Sequence, residues 1–193
     1  IILSLFSKII LLSLESSLFY FRFGIFVLNF QNILSNNKNF FKFFSIISIS
    51  VFLLVIIDAF LQYLIGFNLL LMPYDNNRLS GLFDDEKILG SYISRTLPLI
   101  IMYTLFLFNN KKSTDIFVFI LLSFSLMLIL LSGERTAIIY FFIFYFLFLI
   151  LPMNFGKIKI WSIISIILIS SFLLMKDDSV KDRMIDFTKF QLN

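Results

Sequence analysis

The chain has 193 residues, of which 60% are hydrophobic and 15% charged, with a mean hydropathy of +0.98 and a formal net charge of +4. A soluble domain carries about 25% charged residues, so the composition argues against a water-soluble globule and for an integral membrane protein. The absence of cysteine and histidine excludes disulfides, thiolate metal sites, thiol catalysis and imidazole acting as base or zinc ligand.

Apolar residues run in long blocks instead of alternating, which predicts membrane helices and not barrel strands. The first block, about Ile9 to Phe30, holds Glu15 and Arg22 on one helical face. After the polar "QNILSNNKN", a second helix is expected from about Phe43 to Gly66, with Asp58 and Gln62 near its far end. The connection "MPYDNNRLSGLFDDEK" leads to a third helix, about Ile88 to Phe108, and the turn "NNKKST" to a fourth, Asp115 to about Ser132. After "GERT" a fifth runs from about Ala137 to Leu151, and after "PMNFGKIK" a sixth covers about Ile160 to Met175. The expected fold is therefore an all-α integral membrane bundle of about six transmembrane helices over residues 1–175. Residues 176–193 are expected to begin an extracytoplasmic loop or domain. No internal repeat is visible. Because the chain opens on Ile1 and shows no stop element, it is expected to be a fragment.

Short loops rich in Lys and Arg stay in the cytoplasm. Loops alternate sides, and those carrying Lys38 and Lys42, Lys111 and Lys112, and Lys157 and Lys159 all fall on one side. The loop holding Arg78 with Asp75, Asp84, Asp85 and Glu86, and the GERT turn with Glu134 and Arg135, fall on the other. Arg78 and Arg135 are thus expected at the same outer face.

A guanidinium is always charged, weakly hydrated and forked to hold two phosphate oxygens. Arg135 stands between two strongly apolar helices, where a charge needs a partner or a wet cavity, and next to a helix start with free backbone donors for an anion. The plain alternative is that Glu134 and Arg135 mark an exposed turn. Arg78 is either a second arm of an anion clamp or a surface arginine among headgroups. Arg95, two turns inside the third helix, either extends the cationic site inward or snorkels to the interface. Gly81 suits a tight turn or a close backbone approach, and Asp84, Asp85 and Glu86 suit capping of the following helix. Asp58 and Gln62, one turn apart, line the outer cavity or hydrogen-bond its helices, a structural role being the stronger reading than a catalytic one. The lysine pairs are expected to meet cytoplasmic headgroups, and Trp161 an interface.

Three segments, "IDAFLQYLIGFNLL" from Ile57, "RLSGLFDDEKILGSYISRTLPLI" from Arg78 and "LSGERTA" ending at Ala137, together resemble the O-antigen ligase/polymerase family of bacterial envelope glycan enzymes. The resemblance implies a metal-independent membrane glycosyltransferase-type fold, without cofactor, at the periplasmic face of the bacterial inner membrane. Its donor would be a glycan on undecaprenyl pyrophosphate, and its acceptor a lipid A-core or another lipid-linked glycan. Membrane lipids, and no nucleic acid, complete its expected partners. Carried over by motif, Arg78 and Arg135 are the catalytic pair that grips the departing pyrophosphate. Arg95, Gly81, Asp58, Gln62 and Glu134 form the substrate-binding set. The family has about twice as many spans, and its ligases use a histidine in a large outer loop, which this chain lacks. Two readings from other classes stand beside this one. A transporter or flippase of an anionic lipid or solute would place ionisable groups deep in spans and show inverted halves. A non-catalytic membrane scaffold would leave both arginines free to change.

Overall fold

A computed structural model describes residues 24–33, 37–74, 78–83, 86–108, 111–150 and 156–176. Expectations for Glu15, Arg22, Asp75, Asp84, Asp85 and the tail beyond residue 176 lie outside the described residues. Those described are helical, without a strand: α1 (residues 24–33), α2 (Lys38–Ile65), a 3-10 turn (Gly81–Phe83), α3 (Leu89–Leu107), α4 (Lys111–Ser132), α5 (Arg135–Ile150) and α6 (Gly156–Lys176). They fall into two compact units, Ile1–Phe44 and Ser45–Asn193.

In the first unit Asn37 starts α2. Its Oδ1 accepts the Phe40 amide at 3.1 Å, the N-cap bond to the third helical residue. Phe30 of α1 meets Phe44 edge-on at 5.0 Å between ring centroids.

The second unit is organised around α4, which packs against α3, α5 and α6, while α3 also packs on α5. Leu128 through Gly133 are buried without a break, so the last turn of α4 is enclosed on all sides. Leu97, Leu122, Leu126 and Phe141 are also fully buried in this unit. Hydroxyl pairs stitch the apolar contacts: Ser123 with Ser165 at 3.1 Å, and Tyr145 with Ser162 at 2.8 Å. The Lys159 ammonium donates to the Leu149 carbonyl at 2.8 Å. That lysine, expected at cytoplasmic headgroups, satisfies one of the orphan carbonyls at the end of α5.

Outward faces are apolar too. Ile47, Val51 and Leu54 on α2, Ile143, Phe146 and Leu147 on α5, and Ile167, Leu168 and Phe172 on α6 are all exposed. Among the described residues two helices are long and apolar enough to cross a membrane, α2 over Asn39–Ile65 and α4 over Lys112–Ser132. Arg135–Ile150 and Lys159–Leu173 are apolar but shorter. With 16 residues, α5 reaches only about 24 Å, against a hydrocarbon core of about 30 Å. The first half of α3 carries Gly90, Ser91, Ser94, Arg95 and Thr96, which lowers its hydropathy, and Pro98 stands inside the helix.

Candidate functional site

Three chain segments converge where α4 ends: the α4–α5 turn, the start of α3 and the loop that carries Arg78. The turn is built by Gly133, whose φ of 70° is the left-handed conformation that commonly terminates a helix and that glycine adopts without a Cβ clash. Its amide bonds to the Leu130 carbonyl at 3.2 Å. Leu79, the residue after Arg78, is fully buried, and its amide donates to the Leu131 carbonyl at 3.4 Å. This bond joins the loop of one arginine to the last turn of the helix that precedes the other. The α4 helix then separates this end from Lys112 by roughly 30 Å, at 1.5 Å per residue.

Glu134 has a defined task. Its Oε1 accepts the Gly90 amide at 2.8 Å, and its Oε2 accepts the Ser91 amide at 3.0 Å and the Ser91 hydroxyl. These are free donors of the first turn of α3, and Ile88, at the N-cap, makes no side-chain capping bond. The cap thus comes from a carboxylate on another turn, with the sign that complements the helix dipole. Of the local acidic run expected to cap α3, Glu86 is exposed. Gly90 permits the approach: a Cβ there would collide with Ser132 Oγ and stand 3.2 Å from both Ala137 Cβ and Glu134 Oε1.

The reading of GERT as a plain exposed turn therefore fails. Ser132 and Gly133 are buried, and Glu134 and Arg135 half-buried. Arg135 is the first residue of α5 and is engaged within the fold. Arg78 is half-buried. Arg95 is exposed, one turn along α3 from Ser91, with its guanidinium carbon 5.8 Å from the centre of the Tyr140 ring. That is cation–π range, at the α3–α5 seam.

Asp58 and Gln62 are fully buried and hold the α2–α3 connection. Gln62 Oε1 accepts the Gly81 amide at 2.7 Å, and its Nε2 donates to the Pro73 carbonyl at 3.3 Å and the Ser80 hydroxyl at 3.5 Å. Asp58 Oδ1 accepts the Leu69 amide at 2.8 Å, while its Oδ2 is buried without a hydrogen-bond partner. Gly81, at φ 58°, lies over Ala59 and Leu89: an added Cβ would be 3.4 Å from each. Its close approach is to α2 and α3, and its carbonyl accepts from Asn68 Nδ2 at 2.8 Å.

Of the residues singled out from sequence, Glu134 meets the start of α3, and Asp58, Gln62 and Gly81 form one buried polar group. Arg78 and Arg135 stand on segments joined by the Leu79–Leu131 bond. Gly90, Ser91 and Asn68 escaped that reading. "ILGSY" puts a glycine and a serine at a helix start, a signal for close approach and capping, but the carboxylate that accepts these bonds is remote in sequence. Among the described residues no group of three or more Asp, Glu, His or Cys side chains could hold a metal. Compared with known proteins, the chain matches no protein-family model, no curated protein and no solved structure.

Proposed function

We propose that the chain is part of an integral membrane enzyme that transfers a glycan from undecaprenyl pyrophosphate to an acceptor, in the manner of the O-antigen ligase/polymerase family that its motifs resemble. The transfer would take place at the periplasmic face of the bacterial inner membrane, within a bundle of about six spans. In this reading the acceptor hydroxyl oxygen bonds to the anomeric carbon as the bond to the phosphate oxygen breaks. The electron pair leaves with undecaprenyl diphosphate, and the hydroxyl proton passes to water or to the departing diphosphate. Arg78 and Arg135 meet the negative charge that builds on that leaving group, an electrostatic term that is usually the largest in such reactions.

The observation that carries this reading is the Leu79–Leu131 hydrogen bond, which ties the Arg78 loop to the helix end that leads into Arg135. Glu134 supports it further: its carboxylate is committed to the amides of Gly90 and Ser91. The apolar outward faces of α2, α5 and α6 are what a lipid solvent requires of a bundle.

The test replaces Arg135, and separately Arg78, with lysine in the full-length protein, which keeps the charge and removes the fork. Glycan transfer is expected to fall on the order of 100-fold, the loss typical of one removed transition-state donor, with protein abundance unchanged. A normal envelope glycan profile from either variant would refute the clamp.

A further inference from the structure

The chain leaves α2 through a tight hairpin whose chemistry is inverted relative to an ordinary surface loop. Gly66 ends α2 at φ 89°, and Phe67 and Pro73 face each other as an isolated antiparallel bridge. The side chains at the tip are apolar and face outward: Phe67, Leu69 and Leu70 are more than half exposed, and Leu71 is 81% exposed. Leu71 also has a φ of 61°, a conformation that a non-glycine residue rarely adopts.

The amides of the hairpin, by contrast, are paired within the protein. The Asn68 amide bonds to the Met72 carbonyl at 3.1 Å and the Leu71 amide to the Asn68 carbonyl at 3.0 Å. The Leu69 amide goes to Asp58 Oδ1 at 2.8 Å. Asn68 Oδ1 takes the amides of Leu70 at 3.0 Å and Met72 at 2.8 Å. Pro73 has no amide hydrogen, and the Tyr74 amide reaches the Gly66 carbonyl at 2.7 Å. Every amide from Asn68 to Tyr74 is therefore satisfied by the protein itself, and none depends on water. A loop facing water does not need this, because solvent satisfies its backbone and polar residues dominate its tip. Non-helical backbone at membrane depth does need it. The hairpin also begins directly after Ile65, the last residue of a helix long and apolar enough to cross a membrane.

We infer that the Phe67–Met72 hairpin inserts its apolar tip among the lipids at the membrane interface. The occupant of this surface is the acyl-chain border of the bilayer. The hairpin is also tied to the segment that follows Arg78, because Asn68 Nδ2 donates to the Gly81 carbonyl. The inference rests on the membrane part of the proposed function and not on glycan transfer.

The test uses the full-length protein in lipid vesicles, with Trp161, the single tryptophan of this sequence, and any tryptophan outside it changed to phenylalanine. Leu71→Trp reports on the tip. Leu70→Trp serves as a second reporter that does not disturb the left-handed residue, and Leu54→Trp reports on the middle of α2. Lipids brominated near the headgroup are expected to remove most of the emission from the tip reporters, with a blue shift and little quenching by aqueous iodide. Lipids brominated deep in the chains are expected to quench the Leu54→Trp variant. If that variant is quenched while both tip reporters remain open to iodide, the hairpin inference is overturned and the membrane reading stands. If no reporter is quenched by lipid, the membrane reading falls and takes the inference with it. Tip reporters shielded from both iodide and brominated lipid would mean a protein partner, which also overturns lipid insertion.

Discussion

Gly90 and Glu134 lie 44 residues apart and are joined by a 2.8 Å hydrogen bond from the Gly90 amide to Glu134 Oε1. Together with the Ser91 amide and hydroxyl, this bond makes the α4–α5 turn and the start of α3 one rigid piece. Replacing a capping side chain with alanine costs about 0.5–2 kcal/mol, and hydrogen bonds to a charged group are worth about 1.5–3 kcal/mol. Glu134→Ala is expected to lower stability by about 1–3 kcal/mol, and Glu134→Gln, which keeps one acceptor oxygen, by less. Thermal unfolding of the purified protein in detergent would check this. Equal melting temperatures for Glu134→Ala and the unaltered chain would mean that the clasp contributes nothing.

The same junction makes Gly90 sensitive to a single methyl group. A Cβ there meets Ser132 Oγ, which already donates to the Ile129 carbonyl at 2.8 Å, and Ala137 Cβ, which is fixed to the α5 backbone. In an ordinary helix glycine to alanine is favourable by about 1 kcal/mol. Here overpacking, at about 1–3 kcal/mol, is expected to win. Gly90→Ala should lower the melting temperature, and Gly90→Ala combined with Ser132→Ala should recover part of the loss. A more stable Gly90→Ala variant would show that the contact relaxes freely.

How these features stood in the sequence follows from the range over which each interaction acts. The helices were legible because apolar blocks alternate with polar breaks: a third helix expected from Ile88 to Phe108 is found at Leu89–Leu107, and a fifth expected from Ala137 to Leu151 at Arg135–Ile150. The fourth begins earlier than expected, at Lys111 and not at Asp115, because lysine is a good helix former and "NNKKST" is not wholly a turn. That Asp58 and Gln62 share a face was legible from their spacing. Their partners on the following loop were not, since side-chain to backbone bonds leave no periodic trace. Glu134 drew notice as a charge between apolar helices, yet its role was hidden. The acidic run before α3 offered a local explanation for the cap, whereas the bonds from Gly90 and Ser91 to Glu134 are closed only by tertiary packing.

Leu71 provides a backbone test separate from lipid contact. A left-handed conformation costs an L-residue about 1–2 kcal/mol, and at φ 61° a β-branched side chain is a worse fit than leucine. Leu71→Gly removes that strain, and the greater freedom of the unfolded chain offsets part of the gain, about 0.5–1 kcal/mol. In detergent, Leu71→Gly is expected to match or slightly exceed the stability of the unaltered protein, whereas Leu71→Val should lose about 1 kcal/mol or more. Unfolding midpoints compared side by side decide it. Valine tolerated as well as glycine would argue that the hairpin backbone is not held in this conformation.

Asp58 separates two roles that one carboxyl group combines. Its Oδ1 holds the Leu69 amide at 2.8 Å, and its Oδ2 is buried with no hydrogen-bond partner. Asp58→Asn keeps an acceptor oxygen toward Leu69 and replaces the unpartnered oxygen with an amide. Asp58→Leu fills similar space but leaves the Leu69 amide without its acceptor, and a buried donor left unsatisfied costs about 1–3 kcal/mol. The asparagine variant, which exchanges one unpartnered buried polar group for another, is therefore expected to lie closer to the unaltered protein than the leucine variant. Limited proteolysis adds a local readout, because the hairpin should become cleavable in Asp58→Leu while Asp58→Asn stays protected. If leucine were as stable and as resistant as asparagine, the Leu69 bond would not be what fastens the hairpin to α2. The polar base beneath the apolar tip would then reside in Asn68 and Gln62 alone.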